Sequence, residues 1–124
     1  MIRLPEAYLL RAEAYLKLGN KSNAAIDINV IRRRSHASNV PADSITMDYI
    51  LDERMREFGI EEKRRLTLSR TGMFKERVTK YNPYYNSKYA VDGKDYSDTY
   101  SLYPIPETAI EANKDATLKQ NPGY

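Results

Sequence analysis

Few residue types in this chain could carry covalent chemistry. It holds one histidine, His36, and no cysteine. That leaves no Ser–His–Asp or Cys–His constellation and no thiolate metal site. His36 lies beside Arg32, Arg33 and Arg34 without a second histidine or clustered acids, as a surface histidine does. No Gly-rich phosphate loop occurs. Glu61 and Glu62 are neighbours on an expected helix and point apart, so they do not form an acid/base pair. Asp92, Asp95 and Asp98 offer oxygens within one stretch, but their spacing is not that of a calcium loop; a solvated acidic turn is the plainer alternative. These residues point away from an enzyme and imply no metal and no cofactor.

Binding is better served. Seven of the 11 tyrosines fall between residues 81 and 103: Tyr81, Tyr84, Tyr85, Tyr89, Tyr96, Tyr100 and Tyr103. A tyrosine has an apolar face and a hydroxyl, so it can stack on the C–H face of a sugar and hydrogen-bond its hydroxyl groups. Tyr84, Tyr85 and Tyr89 are the first candidates for glycan contact, then Tyr81 and Tyr96. The competing role is structural, with tyrosines fastening an irregular loop to a scaffold.

Residues 53–72, ERMREFGIEEKRRLTLSRTG, mix both signs of charge with apolar residues at helical spacing. Met55, Phe58, Leu66 and Leu68 cannot all face water, so part of the segment packs inward. Charges carried inward with it need partners, because an unpaired buried charge costs several kcal/mol. Glu53, Glu57 and Glu61 are spaced by four and repel on a helix unless cations interleave. Arg54, Arg56, Arg64 and Arg65 do so. Two helical pieces, broken or bent near Gly59 and held by carboxylate–guanidinium pairs, are expected. Arg32 or Arg34 is expected to reach Glu53 or Glu57 from the preceding helix. The Arg32–Arg34 triplet also complements a helix C-terminus; phosphate or nucleic-acid binding is the alternative.

The elements that must position these groups are mostly helical. Pro5 suits a first helical turn. Ala7, Tyr8, Ala12, Tyr15, Leu16 and Leu18 recur mostly at three- and four-residue steps, and Gly19-Asn20 stops the helix. Ser22 or Asn23 can cap a second helix running to about Arg34, with Ala24, Ala25, Ile28 and Ile31 on one side. The pair resembles a tetratricopeptide repeat, in a single copy where about three are normally needed; an ordinary αα-hairpin is the alternative. Residues 35–45 read as a loop. Thr46 caps a third helix with Met47, Ile50, Leu51, Met55 and Phe58 inward, continuing past Gly59 to about Arg70. Residues 73–80 add a short helical turn at most. Asp92-Gly93 marks a turn within a long irregular segment. Pro104 and Pro106 favour an extended path, and residues 107–112 form a short helix with Ala109 and Ile110 facing in. An extended tail follows.

The fold class is therefore mainly α: a tetratricopeptide-like helix pair plus a bent third helix, a long irregular tyrosine-rich loop and an extended C-terminal tail. The 124 residues suffice for one small domain. Basic and acidic residues are interspersed, with a net charge of +3, so no large field favours nucleic acid. No run approaches the roughly 18 apolar residues of a membrane span. The first residues lack the form of a signal peptide, and no lipid-acceptor cysteine is present.

The 53–72 segment resembles the signature of the SusD/RagB family of outer-membrane nutrient-binding lipoproteins, through Glu53, Arg54, Glu57, Phe58, Ile60, Glu61, Arg64, Leu68, Arg70, Thr71 and Gly72. Glu62, Arg65 and Thr67 depart from it, standing where the family usually has Gly, Trp and Asp. Residues 29–35, NVIRRRS, resemble the family's N-x-I-R-x-R-A segment. LYPIPETAIEAN with LKQNPGY resembles its C-terminal signature, with Lys114 in place of a usual Pro. The resemblance implies the C-terminal part of a SusD-like protein over residues 1–124: a helical scaffold at 5–72, an irregular loop at 73–103 and the C-terminal signature at 104–124. The signal peptide, lipidated cysteine and N-terminal helix pairs would be absent from this chain. It further implies a surface-exposed outer-membrane protein that binds glycan or another nutrient without catalysis and passes it to a TonB-dependent transporter. The alternative is a helical protein-interaction scaffold with no small-molecule ligand of its own; a glycosidase comes last.

Overall fold

The computed structural model describes residues 3–82 and 102–124. Tyr84, Tyr85, Tyr89 and Tyr96, with the Asp92-Gly93 turn, lie outside the described residues. The chain packs as two units, Met1–Glu62 and Lys63–Tyr124.

In the first unit, α1 (Leu4–Lys17) opens with Pro5, whose missing N–H costs nothing in a first turn. It closes on Gly19 at φ +76°. The Asn20 N–H bonds Tyr15 O at 2.8 Å and the Gly19 N–H bonds Leu16 O at 3.0 Å, so two carbonyls of the last turn are satisfied by the chain's own reversal. Asn20 then caps α2 (Lys21–Arg34), its side chain accepting from the Asn23 N–H at 3.0 Å. The sequence points to Ser22 or Asn23 for this role. The cap falls earlier because the turn is so tight that the residue leaving α1 also enters α2. Replacing Asn20 with alanine should destabilise the unit by about 1 kcal/mol, read as a lowered urea midpoint.

The core draws Leu9 and Ala12 from α1, Ala24, Ala25, Ile28 and Ile31 from α2, Val40 and Ile45 from the connection, and Ile50 and Phe58 from α3 (Met47–Phe58). Alanines at the α1–α2 contact keep side-chain bulk out of the seam. Ala7 and Leu18, the outer members of the apolar set named for α1, are exposed; Leu18 is the C-cap residue and has left the helical face. Met55 is also exposed. Ile50, Arg54 and Phe58 define the inward line of α3, and Met55 lies about 100° round from Arg54.

The connection after α2 is not loose. Asn29 Nδ2 donates to Val40 O at 3.0 Å, and the Val40 N–H donates to Asn29 Oδ1 at 2.8 Å. A short 3-10 turn at Ala42–Ser44 follows. Thr46 caps α3 by accepting from the Tyr49 N–H at 3.1 Å. At Gly59, φ +51°, the α-helix ends, and a 3-10 turn covers Gly59–Glu61. Glu62 is extended. Of the two forms expected near Gly59, a break or a bend, the chain takes the break, with Glu61 in the 3-10 turn and Glu62 beyond it.

The second unit begins with α4 (Arg64–Thr71), which ends on left-handed Gly72 and packs on α5 (Phe74–Tyr81). Thr67 and Leu68 face inward while Leu66 is exposed. Residues 73–80, expected to add at most one turn at the head of an irregular loop, form a two-turn helix. Phe74, Arg77, Val78 and Tyr81 recur at three- and four-residue steps, and Arg77 is buried with its guanidinium carbon 4.3 Å from the Tyr81 ring centre. Cation–π contact substitutes here for the missing aliphatic stripe.

Residues 102–106 precede α6 (Glu107–Ala112), on which Ile110 is half-buried but Ala109, expected inward, is exposed. Six residues make too short a helix to bury both positions. The tail returns onto residues 102–105. Gln120 accepts from the Ile105 N–H and donates to Ile105 O, both at 2.8 Å. Asn121 Nδ2 donates to Tyr103 O at 2.6 Å, and the Tyr124 hydroxyl donates to Leu102 O at 3.2 Å. The Asn121 N–H also donates to Gln120 Oε1 at 2.9 Å, so Gln120→Ala removes three bonds of roughly 0.5–1.5 kcal/mol each. Tryptic cleavage at Lys114 and Lys119 should then run about tenfold faster, since local opening controls it. Among the described residues there is no β-strand.

Candidate functional site

Two arrangements gather the charged and aromatic residues, one in each unit. In the first, the α3 acids meet guanidinium groups from three directions. Arg32 Nη1 donates to Glu53 Oε2 at 2.8 Å and Arg56 Nη1 donates to the same oxygen at 2.7 Å. Arg34 Nη2 reaches Glu57 at 2.7 Å, and Arg3 Nη1 reaches it at 3.1 Å. Arg3 Nε also donates to Glu61 at 2.9 Å. The repulsion expected between Glu53, Glu57 and Glu61 is thereby offset, largely by residues outside α3.

Arg54 turns the other way. Its side chain is 3% exposed. Nη2 donates to Glu6 at 2.7 Å, Nε donates to Glu62, and Nη1 lies 3.6 Å from Glu13. Burial works against its charge, but the hydrogen bonds to Glu6 and Glu62 outweigh that. They hold the guanidinium more firmly protonated than an ordinary arginine. The Phe58 ring centre is 5.5 Å from Arg54 and 5.2 Å from Arg3. A second pair, Arg11 to buried Asp27 at 2.6 and 2.8 Å, ties α1 to α2 and likewise raises the arginine above its usual value.

These pairs hold helices together. Glu61 serves Arg3 at the surface while Glu62 is buried against Arg54. The sequence does not disclose Arg3, Glu6, Glu13, Glu62 or the Arg11–Asp27 pair. Glu13 and Asp27 do carry a signal: each is an acid beside core positions, Ala12 and Ile28, and so had to find a cation. Arg64, expected among the partners of these acids, opens α4 in the second unit.

In that second unit, Lys63, Arg64, Arg65, Leu66 and Ser69 line one side of a cleft of about 500 Å3, and Leu102 and Tyr103 line the other. The Arg65 guanidinium carbon is 4.2 Å from the Tyr103 ring centre and 4.7 Å from that of Phe74. Tyr103 is 69% exposed. Of the tyrosines favoured for glycan contact, Tyr81 alone is described. It ends α5, exposed, with Arg77 and Lys80 at 4.3 and 5.1 Å from its ring centre, and it is not among the cleft residues. Tyr103, outside the first choice, is the tyrosine at the cleft among the described residues.

Among the described residues no group of three or more His, Cys, Asp or Glu could hold a metal ion. Among them, too, no helix is long and apolar enough to cross a membrane.

Comparison with known proteins agrees with this helical scaffold. The chain is 37% identical over its whole length to the starch-binding protein SusD of Bacteroides thetaiotaomicron, and it spans about a fifth, 21%, of that relative's length. No solved structure matches. The profile of the SusD family (SusD_RagB) matches residues 1–124. With every residue inside that match, the chain belongs to the SusD family.

Proposed function

We propose that the chain is part of a non-catalytic protein that binds glycan at the outer membrane and delivers it to a TonB-dependent transporter. Family membership carries this reading, because the relative it resembles over all 124 residues is named for starch binding. The site chemistry supports it. The inward acids are held by arginines, and an exposed aromatic ring borders a cleft. Those features suit holding a polyhydroxylated ligand and not breaking a bond in it.

Calorimetric titration of the chain with maltooligosaccharides tests the binding step. Saturable binding without release of reducing ends is the expected result. Tyr84→Ala and Tyr85→Ala should each weaken it about tenfold, as loss of an aromatic contact does. Binding that both variants leave untouched would remove those tyrosines from the site. Hydrolysis of the saccharide would replace the reading by an enzymatic one. For the delivery step, the tagged protein is expected to co-purify with an outer-membrane barrel from detergent extracts.

A further inference from the structure

We propose that the outer face of α1 is an interface at which two copies of this chain meet. The proposal stands apart from the glycan-binding reading. A surface helix is apolar toward the core and polar toward water, whereas a helix apolar on both sides belongs inside a larger body. α1 is of the second kind. Leu9 and Ala12 enter the core, while Leu4, Ala7, Leu10, Ala14 and Leu18 are exposed. At 100° per residue the exposed set falls within about 120°, on the side away from Leu9 and Ala12. Leu4 and Leu18, 70% and 80% exposed, mark the two ends of the stripe.

The pattern suits a second copy of itself. From either end the stripe runs leucine, alanine, leucine, alanine, leucine, at three- and four-residue steps. A two-fold axis beside residues 10 and 11 therefore sets Leu4 of one copy near Leu18 of the other and brings Ala7 to Ala14, in the self-complementary manner of an isologous dimer. Alanines at the contact let the helix axes approach to about 8 Å. Charges agree with the same antiparallel register. Glu6 and Lys17 share one flank of the stripe, so Lys17 of one copy falls beside the partly exposed Glu6 of the other. Arg11 also lies on this face, but its guanidinium is already paired with Asp27 at 2.6 and 2.8 Å and lies 5.4 Å from the Tyr8 ring centre. The axis thus brings together two arginines that each carry their own counter-charge. The contact is one helix long, about 21 Å, at the low end of interface sizes. A Kd on the order of 10–100 µM follows.

The test is sedimentation equilibrium of the intact chain from about 1 to 300 µM. A reversible monomer–dimer equilibrium within that range is the expected result. Ala14→Glu should weaken it about tenfold or more by burying a charge in the seam, and Leu10→Lys, on the same face, should do likewise. Both positions are exposed, so the circular dichroism spectrum should not change. Lys17→Glu should weaken the dimer several-fold, with the effect fading in about 0.5 M salt. Ile26→Glu, at an exposed apolar position on α2, should leave it intact. The register has its own readout, because the chain holds no cysteine. In an equimolar mixture of Leu4→Cys and Leu18→Cys the mixed disulfide should form about tenfold more than either homodimer, since a disulfide needs Cα atoms within about 7 Å. A monomer at every concentration would overturn the proposal and leave the stripe to another occupant. Association that Ala14→Glu and Leu10→Lys both leave intact would overturn it too, as would homodisulfides in place of the mixed one.

Discussion

Replacing Arg54 with alanine is expected to destabilise the first unit by about 3–5 kcal/mol, the usual consequence of stripping one partner from a buried ionic cluster. Glu13 and Glu62, at 4% and 3% side-chain exposure, would keep their burial and lose their cation. Glu6 would lose its 2.7 Å bond. Against a total stability of roughly 5–15 kcal/mol, this is a large fraction. With a urea slope of about 1–3 kcal/mol per molar, the midpoint followed by circular dichroism should fall by about 2 M. The cause is separable from lost packing. Arg54→Met with Glu62→Gln removes a charge of each sign and should recover part of the loss. A drop below about 1 kcal/mol for Arg54→Ala would mean that water reaches these carboxylates, against the burial described.

The second large effect is expected at Ile28. It is fully buried at the middle of α2, within the cluster that joins Leu9 and Ala12 to Ile50 and Phe58. Ile28→Ala removes three carbons from a seam that alanines already make close, so the cavity has little chance to collapse. A loss of about 2–5 kcal/mol follows. Ile26→Ala, two residues away on an exposed side chain, should change stability by no more than about 0.5 kcal/mol. The pair of variants separates packing from helix propensity, since both make the same substitution in one helix. Thermal unfolding of the two, run side by side, reads the difference directly.

How far such features can be read from sequence depends on their range. The α1 stop at Gly19, the Thr46 cap and the break at Gly59 are local and are written in single residues. The meeting of Arg32 and Arg34 with Glu53 and Glu57 could be anticipated from two helices in succession, one ending in arginines and the next carrying acids four apart. Arg54's partners could not, since Glu6 lies 48 positions away and nothing local marks it. For the same reason Arg3, 54 positions from Glu57, escapes notice although it bridges two acids.

Apolar periodicity misleads at Met55 and Leu66 because both segments give inward positions to charged or polar residues, Arg54 and Thr67. A hydrophobic count assumes that apolar side chains win those places. In the second unit α5 is underestimated because its inward positions hold Arg77 beside Tyr81, a pairing that a stripe of aliphatic residues would not reveal. The cleft is hidden for another reason. Its two walls come from residues 63–69 and 102–103, far apart in the chain.

The Asn29 clasp on Val40 has its own consequence for how this fold tolerates change. A carboxamide that meets one residue's N–H and C=O together acts as a single rung of ladder, carried on a helix. It fastens the far end of the connection. The near end is fastened too, by the His36 and Ala37 N–H groups donating to Arg33 O and Arg32 O at 3.1 and 2.9 Å and by Arg32 Nε donating to Ser38 O at 2.6 Å. Asn39 sits where the two fastenings meet, so extra residues beside it leave both knots tied and meet mainly the entropy of closing a longer loop, about 0.6 kcal/mol for each doubling of length. Extra residues at 35–38 would untie the near knot as well.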